Sequence, residues 1–227
     1  MKYTFTEHKT YDILPGGRVL VYYDEDASTE TEVTPDGTEV SYPVWRYSRT
    51  TAPDPSRDSI IVALIRIRYS ADEELALSRQ REAKVAEFNA YSAYAEWCKA
   101  YAGFVLDGDT LANRKSLKVA ELTAYDASPA VNSFSIGNAA LWLSPAQRTN
   151  YLLTIEAAKE QGVESVPFEG VNLPVDTALA ALKALNLYAM QCVAVTDAHR
   201  AAINGLETAE AVDAYDYTLG YPEKLSF

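Results

Sequence analysis

Few residues in this chain have the types and spacing that catalysis needs. Histidine is the commonest general base near neutral pH, and the chain has two, His8 and His199. His199 follows Asp197 in a helical stretch, which would suit a base and the carboxylate that orients it. Residues two apart point away from each other on a helix, so His199 reads as a structural or surface histidine. Two histidines and two scattered cysteines, Cys98 and Cys192, make neither an HExxH nor a CxxC zinc pattern. Asp107-Gly108-Asp109 could open a calcium loop. Such a loop wants an oxygen ligand at its fifth position and glycine at its sixth, where this chain has Leu111 and Ala112, so a turn is expected. Asp24-Glu25-Asp26 follows a strand-like run and reads as a solvated hairpin tip. Ser135-Ile136-Gly137 is half of a nucleophile elbow, but Ser133 stands where the first glycine belongs and no helix follows. Gly16-Gly17 lies between two strands, not before a helix, and cannot aim helix-terminal amides at a phosphate. The residues therefore give no catalytic, cofactor-binding or metal-binding set, and the expectation is a protein that is not an enzyme.

Composition narrows the partners. The chain has 227 residues, Lys+Arg 20 against Asp+Glu 32, and a net charge of -12. A non-specific nucleic-acid binder needs excess cations to displace counterions, and an anionic membrane surface repels an acidic chain. Neither partner is expected. The start of the chain lacks the apolar core of a secretory signal, and the longest aliphatic run, Ile60 to Ile65, is far short of a span. The two cysteines cannot build a disulfide framework. They fall among apolar neighbours in helical patterns and read as buried free thiols of a chain made in a reducing cytosol.

The elements that would position any site fall into three regions, an α+β arrangement. Residues 1–57 form an N-terminal antiparallel β-hairpin module. Tyr11–Leu14 and Arg18–Tyr23 flank Pro15-Gly16-Gly17, and Thr29–Thr34 and Thr38–Tyr42 flank Pro35-Asp36-Gly37. Pro53-Asp54-Pro55 marks the boundary. Residues 58–105 form a helical linker with Asp58 as its first cap. Ser70 and Glu73 make a capping box that opens a central long helix running through Ala102. Residues 106–227 form a C-terminal helical domain with small hairpins at Val131–Leu143 and Val166–Leu173. Its helices cover Lys115–Tyr125, a stretch opened by Ser144-Pro145-Ala146-Gln147, a longest helix over Thr177–Asn204 capped by Asp176, and a short one opened by Thr208.

The chain has 16 Tyr and only 6 Phe. Tyrosine buries a ring and keeps a polar tip, which suits protein interfaces as well as half-exposed core edges. On the long helix Phe88, Tyr91, Ala95, Cys98 and Ala102 make an apolar stripe, with Tyr94, Trp97 and Tyr101 beside it. The stripe fits packing within the protomer or a short subunit seam. A second cluster, Tyr215, Tyr217 and Tyr221, closes the chain. Phe88, Tyr91, Tyr94, Ala95, Trp97, Cys98, Tyr101, Tyr215, Tyr217 and Tyr221 are thus the candidate interface residues.

Ala124-Tyr125-Asp126, Val131-Asn132-Ser133-Phe134, Leu141-Trp142-Leu143 with Arg148, Leu173-Pro174-Val175-Asp176, Leu187-Tyr188-Ala189 with Cys192, His199, Tyr215-Asp216-Tyr217-Thr218 and Gly220-Tyr221-Pro222-Glu223-Lys224-Leu225 run in that order. This set resembles a domain of unknown function of tailed phages and prophages of gut Bacteroidales, similar to the C-terminal domain of phage tail-fibre assembly proteins. The resemblance covers about residues 115–227. Residues 69–102, with Glu73-Glu74, Arg79-Gln80-Arg81, Phe88 and Tyr91, resemble the helical linker that precedes that domain. The resemblance implies a phage origin and no active site. It implies a virion component, a tail or fibre-associated subunit or adaptor that binds other tail proteins and itself, or else a cytoplasmic chaperone of tail-fibre assembly that does not stay in the particle. A small regulatory binding module unrelated to particles is the third reading.

Overall fold

Turn chemistry sets the N-terminal architecture. The computed structural model describes residues 2–137 and 139–227, and these fold as mixed helix and sheet. They divide into two compact units, residues 1–84 with 91–120, and residues 85–90 with 121–227.

In the first unit β1 (Tyr3–Phe5), β2 (Tyr11–Ile13), β3 (Val19–Val33) and β4 (Glu39–Ala52) form one antiparallel sheet in the order β1-β4-β3-β2. Gly16 and Gly17 turn the chain from β2 to β3 at φ 86° and 80°, a region open to glycine at little cost. Thr34 donates its amide to the Thr38 carbonyl at 2.9 Å, and the Asp36 carboxylate accepts from the Thr38 amide at 3.1 Å. That turn joins β3 to β4.

Asp24-Glu25-Asp26 is not a hairpin tip. It is a β-bulge inside β3, where the register shifts between Tyr23 and Asp26 and Asp24 takes φ 58°. Two residues of the acidic run, Asp24 and Glu25, stand opposite the single Tyr47 of β4, and the strand continues past them.

Helix α1 (Arg57–Ile65) starts at Ser56, not Asp58: the Ser56 hydroxyl accepts the Ser59 amide. It lays Ile60, Ala63 and Leu64 onto Val19, Val21 and Ala52 of the sheet. Helix α2 (Ala71–Arg79) opens with the expected Ser70–Glu73 box. The expected continuous helix does break, because α2 ends at Arg79 and α3 spans Val85–Asp107. Gln80-Arg81-Glu82-Ala83-Lys84 between them is exposed and offers no large apolar side chain to bury, so no packing holds it helical. Tyr94, Ala95, Cys98, Ala102 and Val105 of α3 complete the core of this unit. The Tyr94 hydroxyl donates to the Leu64 carbonyl at 2.9 Å, and the Tyr101 hydroxyl donates to the Tyr22 carbonyl at 2.5 Å. By strand alternation Tyr22 points away from Val19 and Val21; its ring meets Phe5 and Tyr47 at centroid distances of 5.1 and 5.7 Å. Helix α4 (Leu111–Asp126) follows.

In the second unit β5 (Phe134–Ile136) pairs with β6 (Ala139–Leu141), and β7 (Ser165–Phe168) with β8 (Val171–Pro174). The first hairpin's turn includes Asn138, which lies outside the described residues. In the second, Glu169 and Gly170 both take positive φ, 45° and 84°, the geometry that suits right-twisted strands. Helix α5 (Pro145–Glu160) carries the Ser144–Gln147 box. The longest helix, α6 (Val175–Gly205), follows β8 directly. Pro174 stands at its N-cap and makes no side-chain cap, while Asp176 sits within the first turn. Helix α7 (Ala209–Ala214) is capped by Thr208. Phe134, Leu143, Ile155, Phe168, Leu182 and Leu185 are the centre of this core. The Tyr188 hydroxyl is satisfied by the Val131 carbonyl at 2.7 Å. Residues 225–227 run beside β5, with the Phe227 amide on the Ser135 carbonyl at 2.9 Å.

Candidate interaction surfaces

The polar residues that the sequence offers for chemistry each have a hydrogen-bond or ion-pair partner. The Nε2 atom of His199 bonds the Leu219 carbonyl at 2.8 Å and its Nδ1 bonds the Tyr215 hydroxyl at 2.7 Å. Asp197 pairs instead with Arg200 at 2.6 Å. A carbonyl only accepts, so Nε2 carries the proton and a neutral ring accepts from Tyr215 at Nδ1. Asp107 pairs with Arg57 at 2.5 Å, and Asp109 with Arg114. The Arg114 bond holds the Asp109 carboxyl below its ordinary range, against the opposing effect of burial. Asp24 pairs with Lys2 and Glu25 with His8. The Ser135 hydroxyl bonds that of Ser226 at 3.0 Å. Among the described residues no three His, Cys, Asp or Glu side chains converge as a metal site.

The aromatic candidates divide between the two units. Tyr94, Ala95 and Cys98 are buried in the first unit's core, with Tyr91, Trp97 and Tyr101 half-buried beside them. Tyr94, Trp97 and Tyr101 stack successively at centroid distances of 5.9 and 4.9 Å. Their faces cover one another, which leaves ring edges, not open platforms. Phe88 is half-buried. Tyr215, Tyr217 and Tyr221 are half-buried against the second unit. Tyr221 shares the Thr196 hydroxyl at 2.8 Å, and Thr196 donates to Asp126 at 2.7 Å. Tyr125 meets the Tyr217 and Tyr221 rings at 5.7 and 5.6 Å.

Two surfaces remain open, and sequence reasoning singled out neither. The first is the far half of the β3–β4 hairpin. β2 reaches β3 only at residues 19–21, and β1 reaches β4 only at residues 45–47. From Ala27 to Val33 and from Glu39 to Val44 the two strands therefore pair with each other alone. Most of this ribbon is exposed, Val33 at 62% and Val40 at 46%. Its cross-links are the Thr31–Ser41 hydroxyl bond at 2.9 Å and the bonds of Arg46 to Ser28 and Glu30. Val44 at its base is buried; beyond it the two-stranded ribbon is mostly exposed and would be marginal alone, and the projecting arm continues the well-packed base of the sheet. The sequence signal was the alternation of Thr and Val with Glu in Thr29-Glu30-Thr31-Glu32-Val33 and Thr38-Glu39-Val40 on the two sides of Pro35-Asp36-Gly37.

The second surface is the outer side of α6. Leu187, Met190 and Val193 are exposed at 57%, 70% and 58%, while Leu182, Leu185, Tyr188 and Cys192 face the core. Among the described residues α6 is also the one helix long and apolar enough to cross a membrane, a property the aliphatic-run reading missed because alanines and polar residues interrupt it. Its buried face contributes Leu182, Leu185, Tyr188 and Cys192 to the second unit's core. Compared with protein-family models, with curated proteins and with solved structures, the chain matches none.

Proposed function

We propose that this chain is a non-enzymatic binding protein, a tail- or fibre-associated subunit of a phage particle that holds neighbouring proteins together. The arm formed by residues 27–44 carries the reading. Beyond the buried Val44 at its base most of this ribbon is exposed; such a ribbon adds little to the fold that makes it, and its cost is offset when a neighbour covers it. The exposed apolar side of α6 supports the same reading, since such a face suits contact with another protein or a second copy. The pairing of His199, Asp107 and Asp109 with Tyr215, Arg57 and Arg114 is compatible with this reading. The phage setting rests on the ordered residues of the C-terminal half.

Mass spectrometry of gradient-banded phage particles from cells that make this chain tests the proposal. Peptides of this chain at stoichiometric level are expected. Absence from particles, with recovery from lysate bound to a fibre protein, makes it an assembly chaperone and overturns the subunit reading.

A further inference from the structure

The two edges of the arm are not alike. Thr34 gives its amide to the Thr38 carbonyl, so that pair points inward. In an antiparallel ladder inward and outward residues alternate. Thr29, Thr31 and Val33 of β3 therefore turn their amides and carbonyls away from β4. On the other strand their partners Pro43, Ser41 and Glu39 do the same toward the opposite edge. Pro43 has no amide to offer, so the β4 edge is blocked to a further strand. The β3 edge from Ala27 to Val33 has no proline. Among the described residues no strand pairs with it there. It is a row of free backbone donors and acceptors roughly 20 Å long at the usual strand rise.

We propose that this β3 edge takes up an extended segment of a partner protein by strand addition, and that the segment carries Lys or Arg at alternate positions. The inference deepens the reading above and rests on the chain acting by binding. Backbone pairing would supply the register and the alternate side chains the selectivity. Charge selects the occupant. Residues 24–46 hold seven acidic side chains, Asp24, Glu25, Asp26, Glu30, Glu32, Asp36 and Glu39, against one cation, Arg46, which pairs with Glu30. Glu30 and Glu32 share one face of the strand and flank Thr31.

A second copy fails on this edge. Antiparallel pairing of two β3 edges about Thr31 sets Glu30 of one copy opposite Glu32 of the other, twice over. Directly opposed like charges destabilise a sheet. A basic strand placed in the same register meets the Glu32 carboxylate with opposite charge and shares Glu30 with Arg46.

The probe is a synthetic nine-residue peptide alternating Lys with Thr and Val, labelled for fluorescence anisotropy against the whole chain at low salt. Its control has the same sequence with backbone N-methyl groups on alternate residues, which keeps the charge and removes strand pairing. Binding of the first peptide at least tenfold tighter than the second is expected. Thr31→Pro removes an outward amide that the hairpin does not use and should weaken the first peptide about tenfold, with circular dichroism unchanged. Glu30→Gln with Glu32→Gln should weaken it similarly without blocking the edge, and gives a second readout should the proline variant disturb the arm. Equal binding of both peptides, or none at millimolar concentration, overturns the proposal. A dimer in light scattering that Thr31→Pro converts to monomer also overturns it, because a second copy then fills the edge. These readouts do not depend on whether the chain occurs in particles, so failure of the phage reading and failure of the edge are told apart.

Discussion

The Tyr91 hydroxyl of α3 donates to the Glu74 carboxylate of α2, and the Arg66 guanidinium reaches the other carboxylate oxygen at 2.9 Å. Helix α2 buries none of its residues. Glu74 is therefore a main attachment of a helix that packing barely holds.

This attachment makes α2 sensitive to acid. The Tyr91 bond, with Arg66 behind it, holds the Glu74 carboxyl below its ordinary range. A depressed carboxylate stabilises the fold above its unfolded pKa, about 4.3, and that stability is lost as pH falls through the folded value. Burial, followed by the same bond to Glu74, pushes the Tyr91 phenol up to about 12. In NMR spectra the amides of Glu74–Leu77 are expected to move as pH drops from about 5 to 3, ahead of the sheet. Glu74→Gln should produce the loosened α2 already at neutral pH. Amides that stay fixed through this range would show that something else anchors α2.

The apolar stripe of α3 permits a sharper experiment than its spacing did. Spacing alone suits a protomer core and a subunit seam equally, since both want apolar residues three and four apart. In the fold Ala95 lies beside Cys98, Tyr94 and Ile60 in the first unit's core. Ala95→Glu would bury an uncompensated charge and overfill the site. A loss of at least about 3 kcal/mol is expected in urea unfolding. A variant that keeps full stability and only changes its mass in solution would put Ala95 at a seam.

Local signals carried most of what the sequence told correctly. The Ser70–Glu73 and Ser144–Gln147 boxes, the Thr208 cap and the Pro35-Asp36-Gly37 turn each depend on residues within four positions, and each forms. The readings that changed depend on distant partners. Asp24-Glu25-Asp26 has the composition of a turn, yet β4 pairs on both sides of it and pulls it into one long strand. Residues 80–84 continue a helical composition, but nothing lies against them. Pro43 is plain in the sequence, whereas the edge it blocks is defined only by its register with Thr29.

Both cysteines should resist modification in the folded chain. Cys98 is fully buried and Cys192 is 3% exposed. Burial pushes the Cys98 thiol up to about 11 and raises Cys192 as well. The thiolate is the reactive form, so both access and ionisation oppose reaction. Ellman's reagent at pH 8 should find close to no reactive thiol in the native chain and two after denaturation. One fast-reacting thiol in the native chain would mean that its helix opens readily.

His199 closes the C-terminal segment onto α6 through two hydrogen bonds, to the Leu219 carbonyl and the Tyr215 hydroxyl, while its ring lies 5.9 Å from that of Tyr221. Phenylalanine at this position keeps a ring and removes both bonds. Each is worth about 1 kcal/mol net, so local opening of residues 215–221 should become roughly 10- to 30-fold more frequent. Limited proteolysis should then cut His199→Phe within that segment faster by the same factor, with cleavage elsewhere unchanged. Tyr215→Phe removes one bond and should fall between this variant and the parent. Equal cleavage of all three chains would mean that the segment is held by Tyr221 and its Thr196 bond, not by the histidine.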